Sequence, residues 1–345
     1  MTMDQLQSSF AAEIIDDPEI GSIILSLFYE DSQHPERSLS ASIAPEFGSN
    51  LFRFRVGTHD IIHCERAMLQ RMDFTGDFVL WPFPNRVRDK RYSYRGHDYS
   101  LADVKRQQGN AVLIHGLVLD RVWQYESPKV LPDAVSVTTY VDINQESGHL
   151  YEAYPFASRL SLTYTLTNVG LSIKYEVQNL GSMTLPYGFA LHPYFSVLAD
   201  RRDTYISVPA AAVMEADDNL LPTGRVLDVT GLMYTPFDLR TPVAVSQLKL
   251  DHVYTELQPG AAVVIEHRTE GIQINITGTD DFTHVVVYTA GADEPYFCLE
   301  HQTCSTDAIN LARQGEERQK MAHLLELDPG ESSCGLLQYH VSFNQ

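Results

Sequence analysis

The sequence predicts an all-β protein, a large antiparallel β-sandwich with very little helix, and three observations carry that prediction. Apolar and polar residues alternate along many short segments, turn-forming residues punctuate them, and helical periodicity is scarce. Leu51–Val56 and Ile61-Ile62 carry the alternation through the N-terminal third, and Val135–Ile143 is a longer run. Leu160, Leu162, Tyr164 and Leu166 alternate with polar residues up to Asn168-Val169-Gly170. Leu171, Ile173, Tyr175 and Val177 then resume the pattern, as in a hairpin with one buried face. Ala261–Ile265 and Ile272–Ile276 repeat the design around Thr269-Glu270-Gly271, and Val285–Thr289 adds a strand. Turn signals recur at Pro222-Thr223-Gly224, Gln258-Pro259-Gly260 and Asp328-Pro329-Gly330. Only Asp4–Ile15 and Thr306–Leu325 suit helices, and neither is strongly amphipathic. No linker, low-complexity segment or fixed-period repeat divides the chain, so residues 1–345 read as one domain.

A length of 345 residues suggests two domains, but that guide is weak for all-β proteins, which often run long as one unit. The chain carries 45 acidic against 25 basic residues, a formal net charge of -20. Nucleic acid and anionic membranes need a basic footprint and are poor partners for such a surface. Met1–Phe10 lacks a basic start and a long apolar run, and no apolar run approaches the roughly 18 residues of a membrane span. A soluble, cytoplasmic protein is expected, as monomer or homodimer. Cys64, Cys298, Cys304 and Cys334 are too few and too scattered for a disulfide framework or a zinc site and read as buried thiols. No Gly-rich loop suited to cradling phosphate is present.

The most informative segment is Leu185–Phe195, which sets His192 among apolar and aromatic neighbours and follows it with Pro193. Proline has a fixed φ and biases the residue before it towards extended backbone, so the imidazole rides on a stiff segment. A histidine so held is either a satisfied residue near a strand end or an acid–base group poised near neutral pH. Phe83-Pro84-Asn85-Arg86 precedes the basic run Arg88, Lys90, Arg91 and Arg95; His115-Gly116 follows Ala111–Ile114; and Leu250–Tyr254 sets Asp251 among apolar residues. Arg86 is read as a surface ion-pair partner or a ligand contact, Asp251 as a turn former or a ligand contact. Phe297–Gln302 sets Glu300 at the end of an apolar run, where a carboxylate is expensive to bury without a partner.

Taken in order, Asn-Arg, His-Gly, His-Pro-Tyr-Phe, Asp-His and Glu-x-Gln resemble the aldose 1-epimerase (galactose mutarotase) family. The resemblance runs from about Asn85 to Leu327–Glu331 and includes Leu221–Gly224 and Pro236-Phe237-Asp238. It implies a galactose mutarotase-like supersandwich that interconverts the anomers of a free monosaccharide without cofactor or metal. By motif, Glu300 looks like the general base on the anomeric hydroxyl and His192 like the acid on the ring oxygen. His115, Arg86 and Asp251, with Asn85 beside Arg86, would orient hydroxyls. Tyr194, Phe195 and Trp123 are candidate sugar-facing rings or core residues. Leu117, Leu119, Leu191 and His301 depart from residues common in the family, and are expected to reshape the pocket walls.

Three rivals stay open. A hexose-6-phosphate 1-epimerase would hold phosphate on the run Arg86–Arg95, otherwise a solvated hairpin. A glycoside hydrolase would use Glu300 and Asp251 as its carboxylates. A non-catalytic carbohydrate-binding sandwich would need neither an acid nor a base.

Overall fold

In the computed structural model, which describes residues 9–104, 112–231 and 237–344, the alternating segments pair into two large antiparallel sheets. One has twelve strands. Its spatial order is Ser9–Asp17, Ser22–Glu30, Leu39–Ala44, Asn50–Val56, Asp77–Leu80, Ala190–Ser196, Tyr296–Gln302, His284–Tyr288, Asp251–Leu257, Ala210–Ala216 and Pro222–Asp228, with His59–Asp60 beside Asn50–Val56. The other has ten strands and is centred on Val135–Ile143, Ser158–Thr167, Gly170–Asn179, Ser332–Phe343 and Ile272–Gly278. The expected hairpin pairs in unbroken register from Ser158↔Asn179 to Thr167↔Gly170.

The core lies between the sheets. Val79, Leu191, Phe195, Val285, Val287, Phe297 and Leu299 from the first meet Leu160, Leu162, Tyr164, Ile173 and Tyr339 from the second. Each large apolar side chain buried there contributes roughly 1.5–3 kcal/mol. Because side chains alternate across a strand, the intervening residues of the same central strands point the other way. There Phe78, Leu80, Ala190, Tyr194 and Cys298 form a second, smaller apolar cluster with Leu119. The middle of the twelve-stranded sheet is therefore covered on both faces.

A polar tie crosses the core. The Tyr339 hydroxyl donates to Asp77 Oδ2 at 3.0 Å, and Asn50 Oδ1 accepts from the Asp77 amide at 3.2 Å. Tyr164 donates to the Ser49 carbonyl at 2.8 Å, and the Ser49 and Thr139 hydroxyls meet at 2.6 Å. Burial pushes the Asp77 carboxyl up to about 8, against the Tyr339 bond that lowers it.

Two expectations are corrected. Over Asp4–Ile15, where a helix was expected, the described residues from Ser9 onward form a strand, Ser9–Asp17, paired along its length with Ser22–Glu30. Phe10 packs on Tyr29 with ring centroids 5.0 Å apart, so sheet pairing overrides a weak local preference. Thr306–Leu325 breaks into two short helices, Ala308–Leu311 and Glu316–Ala322, separated at Gly315, whose φ of 110° no other residue adopts readily. Ala111 and Pro236, parts of segments singled out above, lie outside the described residues. Among the described residues no helix is long and apolar enough to cross a membrane.

Asp77 gives the fold a pH signature. Its folded-state pKa is raised, so its contribution to stability is complete below the unfolded carboxyl value and is lost as pH rises through about 8. Urea melts of wild type and Asp77→Asn at pH 5 and pH 8 should show a steeper alkaline loss in wild type. The difference between the two slopes should approach about 1.4 kcal/mol per pH unit. Parallel slopes would show that Asp77 is ionised throughout.

Candidate active site

The site is built where the strands Ala190–Ser196 and Tyr296–Gln302 run side by side. Their pairing, Ala190↔Gln302 and Tyr194↔Cys298, sets His192 directly across from Glu300 on the face turned away from the main core. His192 Nε2 lies 3.1 Å from Glu300 Oε1, and the two side chains are only 6% and 3% exposed. Phe78, opposite His192 on the next strand, stacks on the imidazole at 4.6 Å, and Tyr194 stacks on it at 5.2 Å. Gln302 Nε2 donates to the other Glu300 oxygen at 3.1 Å.

Electrostatics make this pair a unit. Burial, helped by the Arg86 charge, pushes the His192 imidazole down to about 3. Burial also holds Glu300 well above the ordinary carboxylate value; Asp251 and Asp77 reinforce this, while Gln302 and Arg86 oppose it. A second proton would make a buried cation, and loss of the last one a buried anion, both costly in this surrounding. The pair therefore holds one proton across its 3.1 Å contact and titrates as a pair rather than as two residues. An acid and a base held so can move a proton between two neighbouring oxygens of a ligand that replaces their mutual contact.

His115 stands edge-on to the His192 ring at 4.8 Å. Leu113 and Ile114 pair with Val87 and Arg86, and the His115 amide donates to the Asn85 carbonyl at 2.7 Å, so one local ladder brings Asn85, Arg86 and His115 together. His115 and Gly116 both have positive φ, 63° and 74°, which turns the chain sharply. A Cβ at Gly116 would sit 2.5 Å from the Trp81 carbonyl oxygen, so glycine is required there. Arg86 Nη1 donates to Asn85 Oδ1 at 2.8 Å and makes no ion pair among the described residues. Asn85, Arg86 and Asp251 line one cleft with Met214, Val253 and Thr306.

All six residues singled out from the sequence thus converge on one region. Of the three rings read as sugar-facing or core, Phe195 and Trp123 take the core role, and only Tyr194 lies on the site face. The expectation that four departures reshape the pocket walls is corrected. Leu191 points into the main core and Leu117 packs there too, while His301 lies edge-on to Phe282 at 6.3 Å. Of the four departures, only Leu119 packs in the site-face cluster. Sequence reasoning missed Phe78, Tyr288 and Gln302. Gln302 had a signal, its place in Glu-x-Gln; Phe78 sits in a four-residue strand too short to show alternation. Among the described residues no group of three or more His, Cys, Asp or Glu side chains is arranged to hold a metal.

A family model described as aldose 1-epimerase matches residues 33–340. The uncharacterised protein YihR of Escherichia coli is 26% identical over 236 residues, 67% of this chain and 71% of its own. Galactose mutarotase of Rattus norvegicus is 29% identical over 194 residues, 54% of this chain, and the match spans 51% of that protein's length. A galactose mutarotase-like protein from Clostridium acetobutylicum superposes with a TM-score of 0.80 at 19% identity, covering 97% of this chain and 98% of its own, which shows the shared fold.

The Gln302 bond to Glu300 is directly testable. Because it lowers the carboxyl's pKa, Gln302→Leu should move the Glu300 titration further up, as read by infrared difference spectra of the carboxyl band. An unmoved titration would show that the amide does not bond the carboxylate.

Proposed function

The chain belongs to the aldose 1-epimerase family, and on that premise we propose that it interconverts the α and β anomers of a free aldose. For ring opening the one proton the pair shares moves onto His192; Glu300 then takes the proton of the anomeric hydroxyl while His192 gives its own to the ring oxygen. The bond between the anomeric carbon and the ring oxygen breaks, leaving an open-chain aldehyde. Rotation about the adjacent carbon–carbon bond turns the aldehyde over, and the reverse transfers close the ring on its other face. The proton lost by His192 is matched by the one gained by Glu300, so the pair keeps its net charge through ring opening. Arg86 offers a rigid fork of donors to hydroxyl oxygens, Asp251 accepts from hydroxyl hydrogens, and His115 and Asn85 complete the set of polar contacts.

The observation that carries this reading is the buried 3.1 Å contact between His192 and Glu300, beside a cleft lined by an arginine and an aspartate. A free sugar is favoured over a sugar phosphate because cations of the neighbouring run are already engaged. Arg88 lies between Asp217 and Asp307 at 3.4 and 3.5 Å, Arg91 faces Asp89 at 3.5 Å, and Arg95 meets Glu326 at 3.8 Å. We further infer a cytoplasmic location, in keeping with four free cysteines.

Polarimetry or NMR of freshly dissolved α-sugars tests the reading. Glu300→Gln and His192→Asn should each lower kcat/KM by about 10²-fold or more while leaving the circular dichroism spectrum unchanged. Mutants as fast as wild type would sink the residue assignment. Wild type no faster than buffer across a broad panel of sugars and sugar phosphates would sink the function, and a faster rate on glucose-6-phosphate than on glucose would favour the phosphate reading.

The pH dependence follows from the pair. The one-proton form of the free protein extends from the depressed His192 value near 3 up to the raised Glu300 value, so kcat/KM should stay flat above about pH 5, with no acidic limb near neutrality. An acidic limb centred near the ordinary histidine value of about 6.5 would contradict it.

A further inference from the structure

On the site face, beyond the pair, the same two strands continue with Tyr194 and Ser196 after His192, and with Cys298 and Tyr296 before Glu300. Tyr194 stacks on His192, Tyr296 lies 4.7 Å from Tyr194, and His63 stacks on Tyr296 at 5.3 Å and 23°. Tyr288, opposite Cys298 on the adjoining strand, widens the line of rings. From His192 to Ser196 the strand covers about 13 Å, more than one pyranose ring needs. The line ends at a groove of about 620 Å³ whose lining includes His63, Ser196, Ser42 and Arg53.

The tyrosine hydroxyls separate this line from ordinary packing. Buried tyrosines elsewhere use theirs: Tyr92, Tyr154, Tyr164 and Tyr254 donate to backbone carbonyls, and Tyr339 to Asp77. The hydroxyls of Tyr194, Tyr288 and Tyr296 make no hydrogen bond among the described residues, and Tyr288, Tyr296 and His63 are partly exposed. Rings with an apolar face and a free polar tip suit the alternating C–H faces and hydroxyls of a sugar. The groove's arginines are already paired, Arg53 and Arg55 with Asp60 and Arg66 with Glu19, which suits an uncharged, hydroxyl-rich ligand.

We propose that the Tyr194–Tyr296–His63 line and the groove it opens into form a subsite for the second unit of a reducing disaccharide or longer oligosaccharide, whose reducing end sits at Glu300 and His192. The position of the reducing end rests on the epimerase reading above; the subsite itself does not. Catalysis then gains from binding energy remote from the reacting carbon.

The experiment compares anomerisation of maltose, cellobiose and lactose with that of glucose. It also measures calorimetric binding of maltitol, cellobiitol and lactitol, which lack the reducing-end hemiacetal that ring opening requires. At least one disaccharide should exceed glucose in kcat/KM by about tenfold, and Tyr296→Ala should lower that ratio by about tenfold and weaken binding of the matching alditol. His63→Ala serves as a second variant should Tyr296→Ala fail to fold. The subsite is overturned if no disaccharide exceeds glucose and no alditol binds. It is equally overturned if the variants lower glucose and disaccharide rates by the same factor. A protein that anomerises nothing yet binds an alditol in a Tyr296-dependent way would lose the epimerase reading and keep the subsite.

Discussion

A carboxyl and an imidazole, both almost fully buried and 3.1 Å apart, set the terms for the rest of this structure. Neither is easily charged there alone, because burial disfavours both the imidazolium and the carboxylate, so the two share one proton. Their separation is fixed by the register of two neighbouring strands, and that register holds because the opposite faces of those strands are sealed into the main core. A slip of one residue would carry His192 into the core and Leu191 onto the site face. The sandwich is thus the device that keeps one proton within reach of two atoms.

Around the pair, charge is graded by depth. Asp77, beneath the sheet, is held largely neutral and tied to Tyr339, so it anchors the second sheet while adding only modestly to the field at Glu300. Arg86 stands at the cleft without an ion-pair partner among the described residues and opposes the protonation of Glu300. Asp251 pushes the other way from the far side of Tyr288. Opposed charges at the rim leave the carboxyl's proton affinity sensitive to whatever ligand covers one of them.

Much of this was legible in the chain because strands with one buried face record it residue by residue. Val135–Ile143 has the bounds the alternation assigned, and Ser158–Thr167 buries Leu160, Leu162, Tyr164 and Leu166 as expected. The six polar residues that converge here are singled out through short motifs, since no periodicity marks a site. Asp4–Ile15 was misread because an exposed edge strand has no clean alternation: only Phe10, Ala12 and Asp17 are even partly buried in Ser9–Asp17. Leu191 and His301 were expected on the pocket wall although neighbours of a strand residue must face away from it. The partners Phe78 and Tyr288 come from other strands, and no local pattern announces a contact across a sheet.

The pleat that seats His192 also divides the labour of substitution. On Ala190–Ser196 and Tyr296–Gln302, odd-numbered positions such as Leu191, Phe195, Phe297 and Leu299 feed the main core, while even-numbered ones such as Tyr194, Tyr296 and Cys298 face the site. Main-core packing and the site face are therefore written on alternate letters of the same two strands. Changes at the even letters other than His192 and Glu300 can reshape the site face while leaving the main-core face of both strands intact.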